Sequence, residues 1–279
     1  MPVAYWPVES SYVAIIMVSA MGETGILLVF VPSLFLIMLL VLETGRRIGK
    51  RYHSMEESDH HRGNRILVES AIYGLLGLLI AFTVSGAANR FDARRILTVQ
   101  EANAIGTAYL RLDLLPAAAQ PELRRKFRRY AEARLAVFRL LPDFEASNAE
   151  AVRANELQRS IWNEVIAALP GVPQSATLML LPALNEMFDI TSSRAIAGQA
   201  HTPLVILCAL AVLALFCCLL AGYGLAGENP LGSALRMIGF ALIVTLTIFV
   251  ILDLDYPRVG LIRLDYADQA LIDVLAGMR

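Results

Sequence analysis

The sequence predicts an all-α integral membrane protein with four transmembrane helices and a helical extramembrane region inserted between spans two and three. The chain of 279 residues is 57% hydrophobic, with a mean hydropathy of +0.57, whereas soluble domains are about 45–50% apolar. The apolar residues concentrate in four long stretches. Elsewhere they recur with a helical period, and no run alternates long enough to predict a strand.

Each apolar stretch is predicted to cross the bilayer, because a helix spanning a core of about 30 Å needs roughly 20 apolar residues. The four predicted spans are Gly25–Leu42, Ile66–Ala88, Thr202–Gly227 and Met237–Leu252. Pro32 would kink the first span, which membrane helices tolerate. The second contains only Glu69 as a charged residue, and the third contains none. The fourth is short and is bounded by Arg236 and Asp253.

These spans divide the chain into five segments. They are an N-terminal segment 1–24, a first transmembrane hairpin 25–88, an extramembrane helical region 89–201, a second transmembrane hairpin 202–252 and a C-terminal tail 253–279. We expect four helices in the extramembrane region. The first continues from the second span to Pro116 as one rod about 50 residues long. The others begin near Gln120, Ala146 and Pro173, and Pro182 would kink the last.

The orientation of the spans has two interpretations, because four spans put both termini and the extramembrane region on the same side. The loop Glu43–Arg65 carries six Lys and Arg residues, which predicts a cytoplasmic loop and an external helical region. Arg90, Arg94 and Arg95 directly follow the second span and predict the reverse. Long domains count less in this rule, so charge favours a cytoplasmic first loop.

Composition argues against several function classes. The net charge of −1 gives no basic face for nucleic acid. The three cysteines all lie in the third span, so we predict no disulfide framework or zinc site. Asp253 and Asp255 supply too few oxygens for a metal site. Without a nucleophile motif or phosphate loop we predict no enzyme, cofactor or metal. A membrane enzyme would need a cleft lined by Glu101, Asp189, Arg194, Asp253 and Asp255.

The second span carries a stripe of small residues at offsets of three or four, namely Gly74, Gly77, Ala81, Ser85 and Ala88. Small residues let membrane helices approach closely, so one interpretation is helix packing. The other is a pore wall, in which the same face of several subunits surrounds an axis and apolar rings gate by dewetting. The predicted pore-lining residues are Tyr73, Gly77, Ile80, Ala81, Val84 and Ser85.

Charged residues form two further groups. The first lies where the second span leaves the bilayer and is either a solvated interfacial cluster or a basic vestibule that concentrates anions. Its residues are Asn89, Arg90, Arg94 and Arg95. The second group is predicted to form structural polar pairs between helices, because buried charges demand partners. Its residues are Glu101, Asn185, Asp189 and Arg194, and Glu101–Arg194 is the expected ion pair.

The segment Gly74–Arg94, which ends in Phe91-Asp92-Ala93-Arg94, resembles the corresponding part of bacterial bestrophins. The rest of the chain is similar to the bestrophin-like domain family of bacterial membrane proteins. That similarity rests on four further motifs, namely Glu101-Ala-Asn-Ala-Ile105, Arg111-Leu-Asp-Leu-Leu115, Leu184-Asn-Glu-Met-Phe-Asp189 with Arg194, and Asp253-Leu-Asp-Tyr-Pro257-Arg-Val-Gly260.

The resemblance implies a pentameric anion channel of the bacterial inner membrane. Its partners would be lipid, small inorganic ions and further copies of the chain. The second span would line a narrow apolar neck and the inserted helices would be cytosolic. The neck positions fall near Tyr73, Gly77 and Ala81, so the neck is wider, is turned so that Ile80 and Val84 face inward, or is absent. The alternative function is a non-conducting scaffold or sensor whose helical region binds a protein.

Overall fold

The computed structural model describes residues 29–52, 59–141, 143–227, 229–257, 261–262 and 264–278, with the backbone alone for 59–65. Within these ranges the chain is helical and contains no strand. The α-helices are α1 Val31–Tyr52, α2 Asp59–Leu110, α3 Gln120–Arg139, α4 Phe144–Ala168, α5 Gln174–Gln199, α6 Leu204–Gly224, α7 Pro230–Asp255 and α8 Gln269–Gly277. The predicted N-terminal segment 1–24 and the first four residues of the first predicted span lie outside the described residues.

Three helical stretches of the described chain are long and apolar enough to cross a membrane. They are Ile66–Leu114, Gln174–Gly224 and Pro230–Asp255. The first and last contain the second and fourth predicted spans, and the middle one contains the third predicted span except its last three residues. α7 is longer than the predicted fourth span. It begins with Asn229 as its N-cap, whose side chain accepts a hydrogen bond from the Gly232 amide at 3.0 Å, and Pro230 occupies the first turn.

The chain forms two compact units. The apolar unit comprises the described residues of Met21–Asn89 together with His201–Tyr256, and the polar unit comprises Arg90–Ala200 and Pro257–Arg279. α2 is one continuous helix of 52 residues that contributes to both units. The sequence predicts this continuous rod, because neither glycine nor proline occurs between Ala87 and Ile105, where the helix continues beyond the span.

In the apolar unit, α1 packs against α6 and α7 around a core that also includes Leu76 and Ala87 of α2. α1 and α6 approach closely because glycine occupies their contact. A Cβ added to Gly222 would overlap the carbonyl group of Leu42, and one added to Gly45 would overlap the carbonyl oxygen of Leu219. Small residues at such a crossing let two membrane helices approach backbone to backbone.

In the polar unit, α2 ends at Leu110, and a 3-10 helix follows at Arg111–Leu114. The α-helix therefore stops six residues before the predicted end at Pro116. α3 begins at Gln120, with Pro121 in its first turn, as the sequence predicts. α4 is capped by Asp143, whose side chain accepts a hydrogen bond from the Ala146 amide at 3.0 Å. α5 continues through Pro182 to Gln199.

The predicted C-terminal tail is divided: residues 253–256 belong to the apolar unit, and the tail from Pro257 onward is part of the polar unit. α8 packs its Leu271, which is fully buried, into the main hydrophobic core of that unit, beside residues of α2, α3, α4 and α5. The Arg128 guanidinium on α3 donates a hydrogen bond to the Met278 carbonyl oxygen at 3.2 Å. The tail was predicted only as a terminal segment, whereas its burial makes it a structural element of the unit.

Candidate pore face and buried charge cluster

The second predicted span presents two opposite faces within the apolar unit. Thr83 and Ala87 are buried on the side that packs against the other helices. The small residues project from the other side, because successive helical residues are about 100° apart and Ala81 therefore points almost opposite to Thr83. A Cβ added to Gly74 or Gly77 would have no neighbour within 4 Å. Among the residues that the structure describes, nothing therefore packs beside Gly74 or Gly77, and Ala81 and Ser85 are exposed.

The six predicted pore-lining residues fall into two groups. Gly77, Ala81 and Ser85 are exposed on the small-residue face. Tyr73, Ile80 and Val84 are half-buried and pack against the hydrophobic core of the apolar unit. The Tyr73 ring meets the Phe240 ring edge-on, with centroids 6.3 Å apart. The interpretation in which Ile80 and Val84 turn inward to form the neck therefore conflicts with their packing.

The predicted vestibule residues also fall into two groups, one at the surface and one buried. Asn89 and Arg95 are exposed and Arg90 is half-buried. Arg95 forms an ion pair with Asp92, with a distance of 2.8 Å between nitrogen and oxygen. The structure gives Arg94 a different role from the predicted one. Its side chain is buried, and its guanidinium donates hydrogen bonds to the Ala197 carbonyl at 3.0 Å and the Ala200 carbonyl at 2.5 Å.

The role of Arg94 follows from the end of α5. The last carbonyl groups of a helix lack amide partners within that helix, and a cation at this end is stabilised by the helix dipole. Arg94 lies on α2, reaches across to α5 and satisfies two such carbonyls. It therefore joins two helices of the polar unit at the point where α5 ends, rather than facing a wide aqueous mouth.

A cluster of buried charges lies at the centre of the polar unit. Glu101 of α2 is fully buried between Arg134 of α3 and Arg194 of α5. The Arg134 Nε donates to Glu101 Oε1 at 2.5 Å, and the Arg194 guanidinium donates to the second carboxylate oxygen, Oε2. One carboxylate thus holds together three helices that are distant in sequence.

Polar and aromatic groups surround this carboxylate. The Thr191 hydroxyl donates to Glu101 Oε1 at 3.2 Å, and the Tyr130 hydroxyl lies 2.7 Å from the Thr191 hydroxyl. The Arg194 guanidinium stacks on the Phe138 ring, with 3.7 Å between Cζ and the ring centroid. Asp268, at the N-cap of α8, lies 3.5 Å from Arg194 Nη2. The two arginines are therefore balanced by two carboxylates.

The arginines control the ionisation of Glu101. Burial by itself would raise the pKa of this carboxyl group, because it disfavours the charged form. The guanidinium groups of Arg134 and Arg194 outweigh burial through their charge and hydrogen bonds, and they lower the pKa of Glu101 to about 2. Glu101 is therefore ionised at neutral pH although its side chain is completely buried.

The structure brings together Glu101 and Arg194 of the predicted polar pairs and leaves Asn185 and Asp189 exposed, outside the cluster. The sequence analysis missed Arg134, Thr191 and Asp268. The sequence pattern could have indicated Arg134, because this residue continues the buried stripe of Phe127 and Tyr130 at helical spacing. No sequence pattern indicates Asp268, because only the folding of the C-terminal tail brings it to Arg194.

The five residues that a membrane enzyme would need do not share a cleft in either unit. Asp253 and Asp255 belong to the apolar unit, whereas Asp189 is exposed on the polar unit and Glu101 is fully buried there. Asp255 accepts hydrogen bonds from the Thr202 amide at 2.9 Å and from the Thr202 hydroxyl. Its carboxylate therefore anchors the beginning of α6.

A model of the bestrophin-like domain matches residues 48–268, which is most of the chain. No curated protein matches. Similar solved structures include a bacterial bestrophin homologue from Klebsiella pneumoniae, which is 14% identical with a TM-score of 0.66 over 87% of this chain and 97% of that chain. A single-residue variant of that homologue is 15% identical with a TM-score of 0.66, over 88% and 98% of the two chains. At 14–15% sequence identity, the similarity to these structures establishes the fold alone.

Proposed function

Because the chain belongs to the bestrophin-like domain family, we propose that it forms a homo-oligomeric ion channel whose second span lines the pore. The observation that carries this proposal is the small-residue face of α2, which lies opposite the face that packs inside the subunit. Ala81 and Ser85 are exposed there, and Gly77 has open space beside it. A face of this kind suits the wall of a pore formed by several subunits around one axis.

The proposed subunit has four spans, with α1 as the first. α1 runs beside α6, with Leu42 and Gly45 against Gly222 and Leu219. It also contacts α7, where the Thr245 hydroxyl lies 3.4 Å from the sulfur of Met38. A helix that packs along two membrane-spanning helices is expected to lie in the bilayer with them. This supports a multi-pass membrane protein surrounded by lipid, and the resemblance to bacterial bestrophins supports the bacterial inner membrane as its location.

In the proposed pore, Gly77, Ala81 and Ser85 face the axis, and Tyr73, Ile80 and Val84 hold α2 on its own subunit. A pore lined by small side chains is wider than one lined by bulky residues, and the Ser85 hydroxyl offers a hydrogen bond to an ion or its water. Because Arg94 is buried at the end of α5, the charged residues left near the pore exit are Arg90, Asp92 and Arg95, with one net positive charge. That small excess of positive charge, together with the resemblance to bestrophins, favours anions. The pentameric stoichiometry rests on the resemblance.

The test combines ion flux, thiol accessibility and subunit counting in liposomes. In a background without the exposed Cys208, a water-soluble thiol reagent should reduce chloride flux through Ser85→Cys by more than tenfold. It should leave Thr83→Cys unchanged, because Thr83 is buried on the packing face. Detergent-extracted particles should contain five subunits.

Three results would contradict the proposal: no flux from reconstituted protein, strictly monomeric particles, or no reaction of the Ser85→Cys thiol in an assembled oligomer. An oligomer sealed along the small-residue face would point instead to the scaffold or sensor. Accessibility of a tag on either terminus would determine the orientation of the four spans.

A further inference from the structure

The last three turns of α1 carry a concentration of positive charge. Residues 43–51 contain four cations and one carboxylate. Glu43 lies between two of the cations, with its oxygens 2.8 Å from Arg46 and 2.9 Å from Arg47. Arg46 also donates a hydrogen bond to the Ser233 hydroxyl at the start of α7, at 3.1 Å. Arg46 therefore belongs to the internal structure of the apolar unit.

The remaining cations point away from the other helices. Arg47, Lys50 and Arg51 are exposed, and the Arg47 side chain is 76% exposed. At about 100° per residue these three side chains fall within an arc of roughly 100°. Gly45 and Gly49, which pack against α6, lie on the opposite side of the helix. The cationic surface, defined as Arg47, Lys50 and Arg51, therefore faces the surroundings of the subunit.

The same face of α1 is apolar closer to its beginning. Leu36 and Leu40 are 57% and 67% exposed, and their helical positions fall in the arc of the cationic surface. Going along this one face, a molecule beside the subunit meets exposed leucines first and then, two turns later, three cations. An amphiphile with an apolar chain and an anionic head complements that order, whereas a soluble anion or an acidic peptide uses only its cationic part.

The backbone positions of the cationic surface lie at and beyond the outer edge of the headgroup layer. Arg47 lies about 7.5 Å and Arg51 about 13.5 Å beyond Leu42, the end of the first predicted span. The polar layers of a bilayer add roughly 5–8 Å on each side of the core, and long cationic side chains reach back toward that layer. Tyr52, which is 63% exposed, adds an amphipathic ring of the kind enriched at membrane interfaces.

We propose that this face of α1 binds an anionic glycerophospholipid, with the phosphate on the cationic surface and an acyl chain along Leu36 and Leu40. The proposal rests on the four-span arrangement proposed above and goes beyond the channel function. It requires no ion flux. The Arg47–Glu43 ion pair does not prevent binding, because an exposed pair contributes little and is easily exchanged for another anion.

The experiment titrates the detergent-solubilised full-length protein with phosphatidylglycerol or with zwitterionic phosphatidylcholine and measures bound lipid by native mass spectrometry. The wild type should prefer phosphatidylglycerol, and this preference should fall as salt rises. The variant Arg47→Gln, Lys50→Gln, Arg51→Gln should lose about fivefold in phosphatidylglycerol affinity per charge removed, from about 1 kcal/mol for each cation. Its phosphatidylcholine affinity should remain unchanged.

The matched control removes three exposed arginines from the polar unit, Arg125→Gln, Arg129→Gln and Arg153→Gln. Arg125 and Arg153 are paired with nearby glutamates, as Arg47 is paired with Glu43, and this variant should keep the lipid preference within twofold. The charge-conserving variant Arg47→Lys, Arg51→Lys should also keep it.

Each of the following results overturns the lipid proposal: a wild type with no preference at low salt, a preference that survives in the variant of the cationic surface, or a preference equally lost in the control. Inorganic phosphate that competes as well as phosphatidylglycerol would assign the surface to a free anion. A change of subunit count with unchanged lipid binding would assign it to a second copy. Absent ion flux with intact lipid preference would defeat the channel proposal alone.

Discussion

At the scale of single residues, the polar unit depends on charge balance around Glu101. One carboxylate binds the guanidinium groups of Arg134 and Arg194, and Asp268 supplies the second negative charge near Arg194. A buried ion pair is weak evidence for stability when it is intact, but removing one partner leaves a buried charge uncompensated. The arrangement therefore specifies which helices meet more than it strengthens their contact.

The first prediction concerns Glu101→Gln, which leaves two buried arginines facing an uncharged amide. We expect it to lower the free energy of unfolding at neutral pH by about 3–5 kcal/mol. Thermal melting of the detergent-solubilised protein measures the loss. The control is Glu132→Gln, because the Glu132–Arg128 pair is exposed and its removal should cost less than about 1 kcal/mol. Equal melting temperatures for the two variants would contradict the charge-balance role.

The second prediction is the pH dependence of the wild type. The pKa of Glu101 falls from 4.5 to about 2 on folding, so the unfolded chain binds a proton at higher pH than the folded protein. The stabilisation is fully present above about pH 4.5, and it is lost as pH falls from there toward 2. Acid titration followed by far-UV circular dichroism should show this loss. The loss from Glu101 should be absent in Glu101→Gln, and a wild type equally stable at pH 4.5 and pH 2 would refute the assignment.

At the scale of elements, each unit has its own way of joining helices. In the apolar unit, glycines bring α1 and α6 together, because neither hydrogen bonds nor charges are needed where two backbones touch. In the polar unit, charged side chains join the helices. Arg94 of α2, for example, binds the carbonyl groups of Ala197 and Ala200 at the end of α5.

The third prediction compares two glycines that each gain one methyl group. In Gly222→Ala the new Cβ overlaps the Leu42 carbonyl, whereas in Gly239→Ala it has no neighbour within 4 Å. Because overpacking costs about 1–3 kcal/mol, the first variant should melt several degrees lower in detergent. The second should melt at or slightly above the wild-type temperature, because alanine favours a helix more than glycine does. If both behave alike, the close approach of α1 and α6 is wrong.

The fourth prediction concerns the end of α5. Arg94→Gln removes the cation that binds the Ala197 and Ala200 carbonyls, so the last turn of α5 should open more often. Hydrogen exchange of residues 195–200 should become faster by roughly five- to thirtyfold, corresponding to about 1–2 kcal/mol. Arg95→Gln is the control, since Arg95 is exposed and pairs with Asp92. If hydrogen exchange is unchanged in Arg94→Gln, Arg94 does not stabilise the end of α5.

At the scale of the whole molecule, the proposed channel depends on a surface that one subunit cannot complete. The exposed small-residue face of α2 needs further copies before it encloses anything. A bulky residue there should therefore affect transport without affecting the subunit itself.

The fifth prediction tests this separation with Ala81→Trp. The tryptophan would enter the proposed pore once per subunit, so chloride flux in liposomes should fall by more than tenfold, while the melting temperature in detergent stays within about 2 °C. Ile243→Trp, at a 67% exposed position of α7, is the matched control and should keep its flux. A normal flux through Ala81→Trp would exclude this face as the pore wall.

Much of the fold could be predicted from the sequence, because hydropathy and helical period are local properties. The apolar stretches, the continuous rod of α2 and the start of α3 all follow from neighbouring residues. The end of α2 was placed six residues too late, because Leu112 and Leu115 continue the helical apolar pattern although a 3-10 helix, Arg111–Leu114, follows Leu110. For the candidate site, the sequence identified the small-residue face and the Glu101–Arg194 pair, but not Arg134 or Asp268.

The sequence by itself determined that the chain is helical and that its apolar helices need lipid, since long uncharged runs have no favourable place in water. Only the tertiary structure decided which face of α2 packs inward, that Arg94 caps a helix and that the C-terminal tail brings Asp268 to Arg194. These outcomes depend on contacts between residues far apart in the chain, and a side chain's charge or size does not specify which distant partner it meets.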